Sequence, residues 1–112
     1  MKIVDSSVSK EEILTKHNRF FKDMIKAVVD IKKKVIALDG ELHADLEGLL
    51  IEAGSKQEDV WGINLYLRKS PKERIEYTAL INIRPSQGNC SMEVESREIR
   101  KKIEEIVNRL TD

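Results

Sequence analysis

The sequence predicts one α+β domain built around an antiparallel sheet, on three observations. Three stretches repeat apolar residues every three or four positions, as helices with one buried face do. Two pairs of short β-branched runs lie between those stretches, bounded by turn-forming residues. The longest uninterrupted apolar run is a few residues, too short for a membrane span. With 112 residues, the chain reads as a single domain over residues 1–112.

The first helix opens on Ser9-Lys10-Glu11-Glu12, a capping box in which the Ser9 hydroxyl and the Glu12 side chain satisfy each other's amides. Val8 and Ile13 are spaced as a hydrophobic staple. The spacing of Ile13, Leu14, His17, Phe20, Phe21 and Met24 carries the helix to about Lys22, with His17 packed in the stripe. Residues 25–31 change period and are β-branched, so they read as a strand, and residues 34–38 as its returning partner. Lys32-Lys33 between them has neither Gly nor Asn, so the hairpin type is not legible.

Asp39-Gly40 breaks the pattern, with Asp39 placed to cap the second helix. Leu42, Leu46, Leu49, Leu50 and Ala53 form its stripe, and Gly54 its C-terminal stop. Residues 60–67 read as the third strand. Residues 75–83 read as the fourth, with Ile75, Tyr77, Ala79, Ile81 and Ile83 on one face. The basic stretch 68–74 is a solvated loop between them. Residues 84–89 are irregular, with Pro85 extending Arg84 and Gly88 permitting positive φ. The last helix starts near Glu95 or Ser96 and buries Ile99, Ile103, Ile106, Val107 and Leu110.

The predicted order is α-β-β-α-β-β-α: a four-stranded, mainly antiparallel sheet with helices packed on one face. The open second face, carrying Val28, Val60, Tyr66 and Leu80, would then be covered by a second copy, so a homodimer is expected.

Charged residues make up 36% of the chain, against about 25% in ordinary globular proteins. The 20 basic and 20 acidic residues balance, which leaves no overall charge to draw the protein to nucleic acid or to a membrane. Two Phe, two Tyr and one Trp, not interleaved with basic residues, give no stacking platform for nucleic acid. Many Lys and Glu with few Gln and one Cys fit a thermophile. Cys90, alone, can form neither an internal disulfide nor a cysteine-based metal site. No apolar run of about 7–15 residues follows Met1, so no signal peptide is read and the cytoplasm is expected.

Two polar groupings carry the candidate chemistry. Asp39, His43 and Glu47 stand four apart, as residues on one side of a helix do. His43 and Glu47 offer a nitrogen and an oxygen to one divalent metal, with Asp39 as a third ligand; zinc needs three or four. The competing reading is a surface pair worth about 0.2–0.5 kcal/mol. Residues 39–59 hold seven acidic side chains against Lys56 alone, which is either a steering field or a solvated face.

The second grouping is Arg84-Pro85-Ser86-Gln87-Gly88-Asn89. Arg84 supplies a planar fork suited to carboxylate or phosphate; Ser86, Gln87 and Asn89 add donors, with Trp61 and Asp45 as further lining. It lacks P-loop spacing, and the alternative is a loop held by its own side-chain bonds. Ser86 lacks a nucleophile elbow, and a lone Cys90 is more often inert. Asn64 and Asn82 interrupt strands; each needs a partner, and each either anchors a loop or lines a pocket with Trp61 and Arg84.

Four segments are distinctive together: Lys26-Ala27-Val28-Val29-Asp30-Ile31, Leu42-His43-Ala44-Asp45, Gln57-Glu58-Asp59-Val60-Trp61-Gly62-Ile63-Asn64 and Leu80-Ile81-Asn82-Ile83-Arg84-Pro85-Ser86-Gln87-Gly88-Asn89. They resemble a small prokaryotic family classed only as a domain of unknown function, from about Lys26 to the last helix. The resemblance implies a stand-alone cytoplasmic prokaryotic protein and carries over no catalytic role.

The reading that follows is a domain that binds a small anionic ligand or a protein partner through Arg84, Ser86, Gln87, Asn89 and the His43/Asp45/Glu47 edge, without a cofactor. The alternatives are a metal-assisted hydrolase or nuclease-like enzyme, with His43 and Glu47 or Asp39 as ligands and Asp45 as base, and a pure protein-interaction module. The first reading requires the second helix to meet the segment around Pro85.

Overall fold

A computed structural model describes residues 1–111 of the chain. Its elements are β1 (Lys2–Val4), α1 (Lys10–Lys16), β2 (Ile25–Asp30), β3 (Val35–Leu38), α2 (His43–Glu52), β4 (Val60–Leu65), β5 (Ile75–Glu76) and α3 (Arg97–Leu110), with single 3-10 turns at Gln57–Asp59, Leu80–Asn82 and Pro85–Gln87. The strands form one antiparallel sheet in the order β1-β3-β2-β4-β5.

The sheet therefore has five strands and not the four expected. The added strand, β1, is three residues long, too short to register as a periodicity, and it pairs Ile3 with Ala37 beside the edge of β3.

Helices cover both faces, which corrects the one-sided arrangement. Alternation along the strands sends Val4, Ile25, Ala27, Val29, Ile36, Leu38, Trp61, Ile63 and Leu65 to a core with Ile13 of α1 and Ile103, Ile106, Val107 and Leu110 of α3. The opposite positions Val28, Ala37 and Val60 meet Leu46 and Leu50 of α2. The face that a second copy was invoked to cover is thus covered by α2 over Val28 and Val60. No described helix is long and apolar enough to cross a membrane.

α1 is capped as its sequence indicates: the Glu12 amide donates to Ser9 Oγ at 3.1 Å. It stops at Lys16 and not near Lys22. Downstream, the Arg19 amide and Nε donate to the Asp39 carboxylate at 3.0 and 2.8 Å, which holds the chain in a non-helical path. Phe20, assigned to the buried stripe, is 46% exposed.

Asp39 itself is buried in a left-handed conformation (φ 65°). Its carboxylate is committed to Arg19, so it does not cap α2. Leu42 occupies the cap position with no side-chain bond. At the other end, α2 closes as a Schellman motif. The Ser55 amide donates to Leu50 O and the Gly54 amide to Ile51 O, with Gly54 at φ 108°.

The β2–β3 turn needs no glycine because Asp30 builds it. The buried Asp30 Oδ1 accepts from the Lys32 and Lys33 amides at 2.9 and 2.8 Å, while Oδ2 accepts from Ser55 Oγ at 2.6 Å. Lys34 takes the left-handed position, φ 61°.

The fourth predicted strand shrinks to β5. After Glu76 the chain leaves β4: the Ala79 amide donates to Met92 O, and the Val94 amide to Tyr77 O. Residues 80–82 then make a 3-10 turn, so Ile81 and Ile83 do not continue a strand face. The turn sits tightly on Gly62, where a Cβ would lie 2.5 Å from that of Ala79.

Candidate functional site

The two predicted polar groupings do touch, but the contact is closed. Arg84 is 7% exposed. Its Nε donates to Ile81 O at 3.0 Å. Nη1 donates to Gln57 O at 2.7 Å and Gln87 Oε1 at 3.5 Å, and Nη2 to Val60 O and, at 3.5 Å, to Glu47 Oε2. A guanidinium has five N–H donors, and here each has an acceptor. The plane also stacks on Trp61, with its carbon 4.7 Å from the ring centroid.

The Glu47–Arg84 pair adds little attraction of its own. Burial pushes the Glu47 carboxyl above its ordinary range, against the pull of Arg84. Burial also lowers Arg84, against the pull of Glu47. Desolvation exceeds Coulomb attraction for both partners, as in many buried pairs. The carbonyls hold Arg84 in place.

The neighbouring asparagines are equally committed. Asn82 is fully buried; its Oδ1 accepts from the Gly62 amide at 2.8 Å, and its Nδ2 donates to Gly62 O at 2.9 Å and Met92 O at 3.0 Å. One side-chain amide thus does for Gly62 what a paired strand residue would do. Asn89 Nδ2 donates to Asn82 O, Glu93 O and Ser91 O, while its Oδ1 accepts from the Glu95 amide. Reciprocal Arg84–Asn89 backbone bonds close the loop around left-handed Gly88. Gln87 Nε2 is tied to Glu58 O at 3.1 Å, and Ser86 is exposed.

The proposed metal ligands do not converge. Asp39 faces Arg19, Glu47 faces Arg84, and His43 Nε2 lies 2.8 Å from Ile63 O. Among the described residues, no three His, Cys, Asp or Glu side chains are grouped to hold an ion. The four-residue spacing misled because Asp39 precedes α2 in a left-handed turn and is off the helix. Asp45 is exposed.

A groove of about 420 Å³ opens elsewhere on the α2 side of the sheet, lined in part by Lys26, His43, Asn64, Thr78 and Met92. It lies between the first turn of α2 and residues 78–81, over the end of the sheet where Lys26 of β2 stands opposite Asn64 of β4. The lips are apolar and exposed: Leu42 53%, Leu80 71% and Met92 42%. The base is polar. Asn64 is 8% exposed, and its Nδ2 donates to Glu76 Oε1 at 2.7 Å. A carboxylate accepts only, so the amide orientation is set, and Asn64 Oδ1 remains buried without a hydrogen-bond partner.

Burial lowers the pKa of His43 from its ordinary 6.5; its bond to Ile63 O and the nearby Asn64 oppose the shift, and Lys26 adds to it. The ring is therefore neutral at neutral pH. The Ile63 carbonyl requires the proton on Nε2, which leaves Nδ1 as an acceptor.

Of the residues the sequence singled out as candidate ligand or metal contacts, His43 belongs to this groove, and so does Asn64, weighed there as a loop anchor or a pocket-lining residue. Lys26, Leu42, Thr78, Leu80 and Met92 escaped the sequence reading. The signal for Asn64 was present, as an asparagine interrupting a strand. Leu42 carried none, since it stood in the stripe that periodicity buries, and Leu80 was assigned only to the open second face of the sheet.

A family model described as "Protein of unknown function (DUF5674)" matches residues 2–110. No curated protein and no solved structure matches the chain.

Proposed function

We propose that this chain, which belongs to the DUF5674 family of unknown function, is a ligand-binding domain whose site is the groove between the start of α2 and the 78–81 segment. One observation carries the reading: a buried, unpartnered Asn64 Oδ1 at the base of a concavity whose rim is exposed leucine and methionine. Buried polar atoms are nearly always paired, and exposed apolar side chains gathered around a concavity mark recognition surfaces. The volume lies within the range of about 300–1,000 Å³ typical of small-molecule sites.

The site expected at Arg84, Ser86, Gln87 and Asn89 is the weaker candidate, because the guanidinium and both asparagine amides are already bonded. A fragment screen followed by amide chemical shifts separates the two. Hits should perturb residues 43, 44, 64 and 78–81. Hits that instead gather on residues 84–89 would overturn the assignment.

A further inference from the structure

We infer that the groove takes a small monocarboxylic acid with an apolar body, its carboxylate seated on the first amides of α2 and on Lys26. This rests on the groove being the binding site.

The N-terminus of a helix leaves amides without intrahelical partners, and something must satisfy them. In α2 the usual device is missing: the cap residue is Leu42, which has no side-chain acceptor. The Asp45 and Leu46 amides turn back to Leu42 O. The His43 and Ala44 amides have no partner among the described residues. Leu42, His43 and Ala44 all line the groove. Two open donors at the positive end of a ten-residue helix favour an anion.

Lys26 lies in the same lining and forms no salt bridge among the described residues; its ammonium rests 5.0 Å from the centroid of the Phe21 ring. It supplies the balancing charge. The other polar atoms of the groove limit how many acids the ligand carries. Asn64 Oδ1 and neutral His43 Nδ1 are both acceptors, which would repel a second carboxylate and instead favour an O–H or N–H on the ligand. Leu42, Leu80 and Met92 then contact the apolar body. Exposed Glu41 and Asp45 border the same helix start, and the Glu76 carboxylate bonded to Asn64 lies at the base; all three oppose an anion and favour a ligand with a single negative charge over one with two.

The test titrates the full chain with octanoate, octanol and octylamine, following backbone amide shifts. Octanoate should bind about tenfold more tightly than either other probe and move the His43 and Ala44 amides most, because the helix end and one lysine together supply about that factor. Lys26→Met should erase most of that preference, read as the ratio of octanoate to octanol affinity within the variant, and Asp45→Asn should tighten octanoate alone. If octanol binds the groove as well as octanoate, or if Lys26→Met leaves the preference intact, the carboxylate inference fails while the groove remains the binding site. If none of the three probes perturbs the groove, both readings fail.

Discussion

The Arg84–Asn82–Asn89 cluster and the His43–Asn64–Lys26 groove are both polar patches beside β4, yet they have opposite characters. In the first, every side-chain nitrogen and oxygen of Arg84, Asn82 and Asn89 has a partner, and the one group there unused among the described residues is the buried indole N–H of Trp61 beneath Arg84. In the second, an amide oxygen, an imidazole nitrogen and two helix amides are left over. The first replaces a strand that the chain does not form; the second replaces nothing. Polar residues after an apolar strand look alike in sequence whether they build the fold or wait for a ligand. Counting unused donors and acceptors separates the two cases.

The largest effect that would break this contrast is at Asn82. Asn82→Ala removes its three bonds and leaves both Gly62 backbone groups unpartnered, each costing about 1–3 kcal/mol. A drop in melting temperature of more than about 10 °C is expected by circular dichroism. A variant melting within a few degrees of the parent would show that the cluster is not structural.

Next is Arg84→Met, which keeps an apolar stem against Trp61 but abandons the acceptors at Gln57, Val60 and Ile81. A loss of about 2–3 kcal/mol in urea unfolding is expected, with groove binding unchanged.

A smaller effect is readable through pH. An unfolded His43 takes up its proton near 6.5, the folded one only at lower pH. Between those values the unfolded state binds more protons, so stability falls as pH drops through the window and is unaffected above it. Glu47 works the other way: its folded carboxyl holds a proton to higher pH than the unfolded one, so its contribution rises as pH falls. Comparing the parent with His43→Gln at pH 7.5 and 5.5 cancels the Glu47 part. The parent should lose more stability than the variant on acidification, and equal losses would contradict a half-buried imidazole that resists protonation.

The smallest effect on stability belongs to the groove lip. Leu80→Ser, at a side chain 71% exposed, should change stability by no more than about 0.5 kcal/mol and yet weaken groove binding. A large destabilisation would make Leu80 part of the fold and not of a binding rim.

Much of the architecture was legible because it follows from local chemistry. The Ser9 cap, the Gly54 stop, the start and stripe of α3 and the β2–β3 hairpin depend on neighbours within a few positions. What escaped depended on distant partners. The end of α1 is decided by Asp39, twenty residues away, and the end of the fourth strand by the fit of Asn82 and Ala79 to Gly62.

By itself, then, the sequence determined the class, the cap of the first helix, the alternation that gives the sheet two apolar faces, and the prominence of Asn64, Asn82, His43 and Arg84. Only the tertiary structure decided which of those polar groups were consumed. Periodicity records what a residue prefers, whereas a hydrogen bond to a carbonyl twenty positions away depends on where folding brings that carbonyl. Arg84, suited by its chemistry to hold an anion, spends its donors on the backbone of its own protein, and the open donors are found instead at an uncapped helix start.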